Sequence, residues 1–348
     1  MITDLRNRGI DAVPPVFAPA LLRQQEDGTL KSPISIGGAE VLPLAGISHK
    51  TTVLCNESGE WITYRSDGYG FHNPEGVPHS RRIGIAALGD SFTVGVCVPP
   101  GENFVDLIRM TNPSTVNLGV DGAGPLIELA AMREYCSFFL PEVTLWFYFE
   151  GNDLSDLNKE KKSPLLVRYL EDGFDQGLVT RQNDIDRALT EHIDGLLEFQ
   201  LTRKPSRKYF DYGLETIKLS ALRRRLGLLY GTSRRDDSFE SGPNGLFREV
   251  LQRACALAHA WNSSLYFVYL PHWDRYASPR PPSHHRDAVL ALVRDLKIPI
   301  IDIHQAFQDH GDPLSLFPYR KEGHYNARGH RLVAETVLQA ISRRYPRP

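Results

Sequence analysis

The stretch Ile83-Gly-Ile-Ala-Ala-Leu-Gly-Asp-Ser-Phe-Thr-Val-Gly95 opens as a short apolar run and breaks at Gly89-Asp90-Ser91. A run of this length, bounded by a turn, is what a buried parallel strand requires. Open α/β sheets place their chemistry in the crevice beyond the carboxyl ends of such strands. Ser91 stands at that end and is a candidate nucleophile. Taken alone, Gly-Asp-Ser is also ordinary turn and cap chemistry, so partners elsewhere in the chain decide its meaning.

From this strand onward, strand and helix patterns alternate, which predicts a parallel sheet with crossover helices. The further strands are Ser114–Leu118, the apolar and aromatic Val143–Phe149, Ser264–Leu270 and Ile298–Ile303. Helical patterns begin near Asn103 and span Leu126–Phe139, Gly245–Trp261, His285–Lys297 and Ala327–Arg344, the last with Asn326 as its N-cap. Residues 1–80 are rich in proline and glycine, and their clearest signal is a hairpin of Thr51–Cys55 with Glu60–Tyr64. Residues 154–243 interrupt the alternation with polar helical patterns around Ile185–Leu201 and Leu214–Tyr230 and with basic clusters between 203 and 235. They read as a helical cap inserted at a strand end. The organisation expected is therefore an N-terminal loop and hairpin extension (1–80), a core unit (81–153 with 244–348) and a helical cap (154–243).

Lys and Arg number 40 against 42 Asp and Glu, so the chain is close to neutral and carries no global attraction to nucleic acid. No apolar run reaches the length of a membrane span. The charged amino terminus lacks a signal-peptide core, which leaves a cytoplasmic chain or one whose targeting segment or anchor has been removed. In the second case the periplasm or cell surface is expected. Cys55 and Cys97 both lie in loop-like segments and can pair in an oxidising compartment; spacing alone does not fix connectivity. His284-His285 and Asp302-x-His304 lack a third ligand, so no metal is expected, and no other cofactor is.

Each of the first three core strands ends in a turn of polar or glycine character, and a histidine precedes the final helix. Ester chemistry through a serine needs a nucleophile, a base, a group to orient the base, and donors for the oxyanion. Ser91, His324, Gly122 and Asn152 are the residues of the right type in those turns. Together, Gly89-Asp90-Ser91-Phe92-Thr93, Asn117 through Gly122, Gly151-Asn152-Asp153 and Gly323-His324-Tyr325-Asn326 resemble the SGNH hydrolases, also called GDSL esterases and lipases. The resemblance covers roughly 83–153 and 264–344. It implies a flavodoxin-like three-layer sandwich around a five-stranded parallel sheet, with Ser91 as nucleophile and His324 as base. It also implies an oxyanion hole made by the Ser91 backbone N–H, Gly122 and Asn152.

The family's usual aspartate, three residues before the histidine, is replaced here by Lys321. Glu322 is the acid expected to orient His324, the alternative being a backbone carbonyl or water. His272, Trp273 and Tyr276, beyond the fourth core strand, are candidates for lining the substrate cleft. The activity implied is O-acyl, above all O-acetyl, ester hydrolysis or acyl transfer on a carbohydrate or polysaccharide. The alternative is a non-catalytic glycan-binding or assembly protein that keeps the same frame.

Overall fold

A computed structural model of the chain describes residues 2–56, 59–77, 82–202, 245–279 and 283–344. Within these the main strands are β1 (Ala12–Val13), β2 (Thr51–Cys55), β3 (Ile62–Arg65), β4 (Ile85–Leu88), β5 (Thr115–Asn117), β6 (Val143–Phe149), β7 (Ser264–Leu270) and β8 (Ile300–Asp302). The last five form one sheet in the order β8-β7-β6-β4-β5, and every neighbouring pair is parallel. Numbered within this sheet, the order is 2-1-3-4-5, that of the flavodoxin-like doubly wound fold.

Alternation along these strands divides the core into two layers, as the two-residue period of a strand requires. Ala86, Leu88, Val116, Trp146, Tyr148, Phe267 and Tyr269 face one layer, with Leu126, Ala130, Val250 and Val289 from the helices on that side. Ile85, Ala87, Leu145, Phe147, Phe149, Tyr266 and Val268 face the other, with Phe104, Ile108, Phe307 and Val333. Both faces are apolar because both are covered, which is why these strands read as unbroken apolar runs.

Element ends differ from the sequence expectation by a residue or two. The helix expected over Leu126–Phe139 runs from Pro125 but widens into a π-turn at Met132–Cys136. Two short helices, Ser91–Val94 and Ile303–Asp309, carry too few residues to show a period. The expected hairpin is present as antiparallel β2 and β3, with β1 added in parallel as a third strand.

Residues 154–193 pack on the core. Leu165, Leu166, Tyr169, Leu178, Ile185 and Leu189 belong to the first core layer. Glu134, buried in the π-turn, accepts from Tyr169 Oη (2.5 Å) and from the backbone amides of Gln176 and Leu178 (2.5 and 2.8 Å). The N-terminal extension closes over the same layer: Gln176 Oε1 accepts from Leu42 N at 2.8 Å, and Asp186 Oδ1 accepts from Ser48 N at 2.9 Å. The pattern at Leu214–Tyr230 and the basic clusters between 203 and 235 lie outside the described residues. Among the described residues, no helix is long and apolar enough to cross a membrane.

Cys55, at the end of β2, forms a disulfide with Cys97, in the loop after the Ser91–Val94 helix. It ties the N-terminal sheet to the turn that follows β4. The bridge closes a separation of 42 residues, for which loss of loop entropy from the unfolded chain amounts to roughly 4 kcal/mol at most. Reduction, or Cys97→Ser, should therefore move the urea midpoint down by a corresponding amount. Superimposable unfolding curves with and without reductant would show that the bridge does not form.

Candidate active site

The turn after β4 is held in a conformation open only to glycine at its first position. Gly89 has φ +154°, and a Cβ there would meet Thr93 Oγ1 at 2.2 Å and the Phe147 carbonyl at 2.9 Å. The next residue, Asp90, caps the short helix by accepting from Phe92 N at 2.9 Å. Ser91 is the first residue of that helix and is only 9% exposed. The turn after β5 locks to it: Val120 N donates to the Gly89 carbonyl (2.9 Å), and Asn117 Nδ2 donates to the Thr93 carbonyl (2.7 Å).

His324 arrives from the opposite end of the chain. Its Nε2 lies 2.9 Å from Ser91 Oγ, across 233 residues of sequence. Phe92 packs against its ring at 4.9 Å between centroids. The following residues hold the loop. Tyr325 Oη donates to the Pro271 carbonyl (2.6 Å), and Asn326 caps the final helix through Arg328 N and Gly329 N (3.0 and 3.1 Å).

The two expected oxyanion residues lie in the turns after β5 and β6, the strands on either side of β4. Gly122 has φ +71°, and a Cβ there would lie 3.6 Å from Pro19 Cγ, so the N-terminal extension reaches the site. Asn152 Nδ2 donates to Asp156 Oδ2 at 2.8 Å, which leaves its second N–H for another acceptor. Asp156 in turn receives Lys159 Nζ at 2.7 Å.

Glu322 lies on the surface near His272. Its carboxylate is 60% exposed, with Oε1 3.9 Å from His272 Nε2. Of the three cleft candidates, His272 is the one tied to this neighbourhood. Its ring lies 5.6 Å from that of Phe149, and its Cδ2 would sit 2.9 Å from a Cβ at Gly151. Trp273 Nε1 donates to the Arg320 carbonyl at 3.1 Å. Tyr276 pairs its hydroxyl with His304 Nδ1 at 2.8 Å and packs on Phe307.

Several polar residues under the site escaped the sequence expectations. Glu150, which follows β6, is 4% exposed and accepts from His272 N and Arg275 Nε, both at 2.7 Å. An acid directly after an aromatic strand, with an arginine beyond the next strand, was the available signal. Asp90, Glu128, Asp153 and Glu160 are likewise buried. Glu160 accepts from Gly124 N (2.6 Å) and Leu126 N (2.9 Å), yet burial pushes its carboxyl up to about 8. Burial, then the neighbouring Asp90 and Glu160 charges, drive Glu128 well above the ordinary range. Asp90 and Asp153 are raised by the same cause, burial first.

No protein-family model matches the chain, and no curated protein matches it. Among solved structures it is similar to a member of the lipolytic protein G-D-S-L family from Veillonella parvula DSM 2008, at 14% identity over 75% of this chain and 99% of that one, with a TM-score of 0.39. It is similar to the acetyl xylan esterase AlAXEase, at 14% identity over 74% and 100% of the two chains, TM-score 0.40. A lipase/acylhydrolase from Enterococcus faecalis gives 14% identity over 75% and 96%, TM-score 0.40. A shared sheet at this identity does not assign a substrate.

The buried acids have a consequence for stability. Each folded-state carboxyl is raised above its unfolded value, so the folded chain holds more protons than the unfolded one across that interval. Their contribution to stability is complete below the ordinary carboxylate range and is lost as pH rises through the raised values. Glu128→Gln removes one such ionisable carboxyl at nearly constant shape. Its melting temperature should exceed that of the parent at pH 8, by about 2–4 °C per kcal/mol relieved, and match it closely at pH 5. An equal difference at both pH values would show that Glu128 ionises normally.

Proposed function

We propose that the chain is a serine acyl hydrolase or acyltransferase of the SGNH type. The observation that carries this is the 2.9 Å approach of His324 Nε2 to Ser91 Oγ at the carboxyl end of the sheet. There, nucleophile and base meet at hydrogen-bond distance. Ser91 and Asn152 follow neighbouring strands, β4 and β6, whose crossovers leave in opposite directions and open a crevice between them.

In this mechanism His324 Nε2 takes the Ser91 proton as Oγ adds to the ester carbonyl. The oxyanion forms beside the Ser91 backbone N–H, the Gly122 N–H and the second N–H of Asn152 Nδ2. Collapse returns the proton from His324 to the leaving alkoxide and leaves an acyl-serine. Water, or a second hydroxyl, then attacks that ester with His324 again as base. Hydrolase and transferase differ only in which acceptor reaches the acyl-enzyme. An exposed Glu322 is a weaker orienting acid than a buried aspartate, so most of the rate enhancement rests on the Ser91–His324 pair and the oxyanion donors.

The substrate class we favour is an O-acetylated carbohydrate, on the resemblance of the motifs to SGNH proteins of polysaccharide pathways. Residues 1–80 and 154–243 would then shape the cleft around a catalytic unit of 81–153 with 244–348. The contact of Pro19 with the Gly122 turn supports such a role for the extension.

Turnover of p-nitrophenyl acetate tests the mechanism. Ser91→Ala and His324→Ala should each lower kcat by about 10⁴–10⁶-fold, and Asn152→Ala by about 10²–10³-fold. Glu322→Gln should cost less than either of the first two. Equal slow rates in all the proteins, with folding intact, would refute the enzyme and leave glycan binding on the same frame.

A further inference from the structure

A second cluster of chemically active side chains lies beside the site, on the loop between β7 and the helix Arg286–Asp295. Asp274 Oδ1 is 2.7 Å from His272 Nδ1 and 2.8 Å from His284 Nε2. One ligand atom from each of the three residues falls within 4.8 Å of the other two. The His284 side chain is 5% exposed, whereas His272 and Asp274 are 20% and 28% exposed, so the cluster is built into the fold at one end and reachable at the other.

The His272 ring stands between two carboxylates, Asp274 at Nδ1 and Glu322 at Nε2. A neutral imidazole has one N–H, so it turns a lone pair towards one of them. A cation at Nδ1 removes that conflict. His272 Nδ1 and His284 Nε2 then give their lone pairs to the ion, Asp274 gives an oxygen, and His272 Nε2–H faces Glu322. A carboxylate behind a ligating histidine is the usual outer partner at metal centres. Bonds of about 2.0–2.2 Å in a tetrahedral site separate ligand atoms by about 3.4 Å. That lies between the 2.7 Å and 4.8 Å found here, so small side-chain rotations suffice.

We propose that His272, Asp274 and His284 bind one divalent transition-metal ion of the zinc class. Two imidazoles and a carboxylate select such an ion over calcium or magnesium, which take oxygen ligands. Three protein ligands leave a fourth position for water or a substrate hydroxyl. The Gly151 backbone abuts the Cδ2 edge of the His272 ring, on the side away from the ion at Nδ1. The proposal stands on the cluster itself and does not need the serine mechanism.

The test is metal binding by the full-length chain, stripped with chelator and dialysed. Titration with ZnCl₂ should give one ion per chain, and CoCl₂ should give the visible bands of a four- or five-coordinate site. His272→Ala and Asp274→Ala should each weaken Zn²⁺ binding by about tenfold or more, and Glu322→Gln by up to about tenfold. His310→Ala, outside the cluster, should bind like the parent. Because His284 is nearly buried, His284→Gln is informative only with an unchanged circular dichroism spectrum; the more accessible His272→Ala decides otherwise. Absence of saturable binding at roughly 100 µM metal, or equal affinity in the parent and His272→Ala, would overturn the site. The cluster would then be a hydrogen-bonded lock on its loop.

Discussion

The geometry of the site depends on how tightly the chain can turn at Gly89. Without a Cβ, the turn after β4 drops onto the Phe147 carbonyl of β6 and the Thr93 side chain. That approach lets Asp90 cap the next four residues and stands Ser91 at the strand end. The Gly89 carbonyl then receives Val120 N, so the turn after β5 takes its position from the same glycine. Asn152 follows from β6 itself, the strand against which Gly89 is pressed. Three turns that are distant in sequence thus share one mechanical reference. The fourth component, His324, is brought in by a separate device, the capped helix that starts at Ala327.

Such close packing has an electrostatic cost. The acids that cap and brace the turns, Asp90, Asp153 and Glu160, lie wholly inside the protein. Glu160 is compensated by backbone amides at the start of the Pro125 helix. Glu128, in the same helix, has no such donors for its two oxygens. A carboxyl in this position is most cheaply held as the neutral acid. The carboxyls beneath Ser91 are thus shifted upward, burial first. Across the cleft the arrangement is the reverse: Glu150 is paired with Arg275, and Asp274 is held well below the usual carboxylate range because its hydrogen bonds to His272 and His284 outweigh its burial.

Much of the frame was legible because its signals are local. Val143–Phe149 and Ser264–Leu270 appear as strands at the residues expected, since a strand buried on both faces must be apolar throughout. Asn326 was legible as a cap for the same reason, a short-range match of side chain to backbone. Ser91 and His324 stood out because each sits beside a turn motif, and their side chains lie 2.9 Å apart. What sequence could not show were contacts made at a distance. The approach of His272 to within 3.9 Å of Glu322, from some fifty residues away along the chain, is invisible to spacing within the Lys321–His324 segment. The partners of His284, which stood out in sequence only beside His285, were hidden likewise, because loop closure and not a fixed interval sets it beside His272 and Asp274. Burial of 154–193 was masked by its polar helix faces, whose inner stripe is narrow.

The N-terminal extension is where specificity is best sought. In the proposed mechanism the turns of the sheet would supply nucleophile and oxyanion donors whatever the substrate, since those groups address only the ester carbon and its oxygen. Selection among acyl groups or sugars requires walls beyond that point. Pro19 stands against Gly122, and a recess beside the turn is lined by Pro15, Val16, Tyr64, His72, Val94 and Asp121. Of these, Val94 and Asp121 belong to the turns, and the other four to the extension. The extension is also fastened at that place, through the Cys55–Cys97 bridge and through His72 Nδ1 on the Val94 carbonyl at 2.8 Å. A wall fixed at two points next to the oxyanion glycine can exclude an acyl chain that is too long. A loose one could only slow its entry.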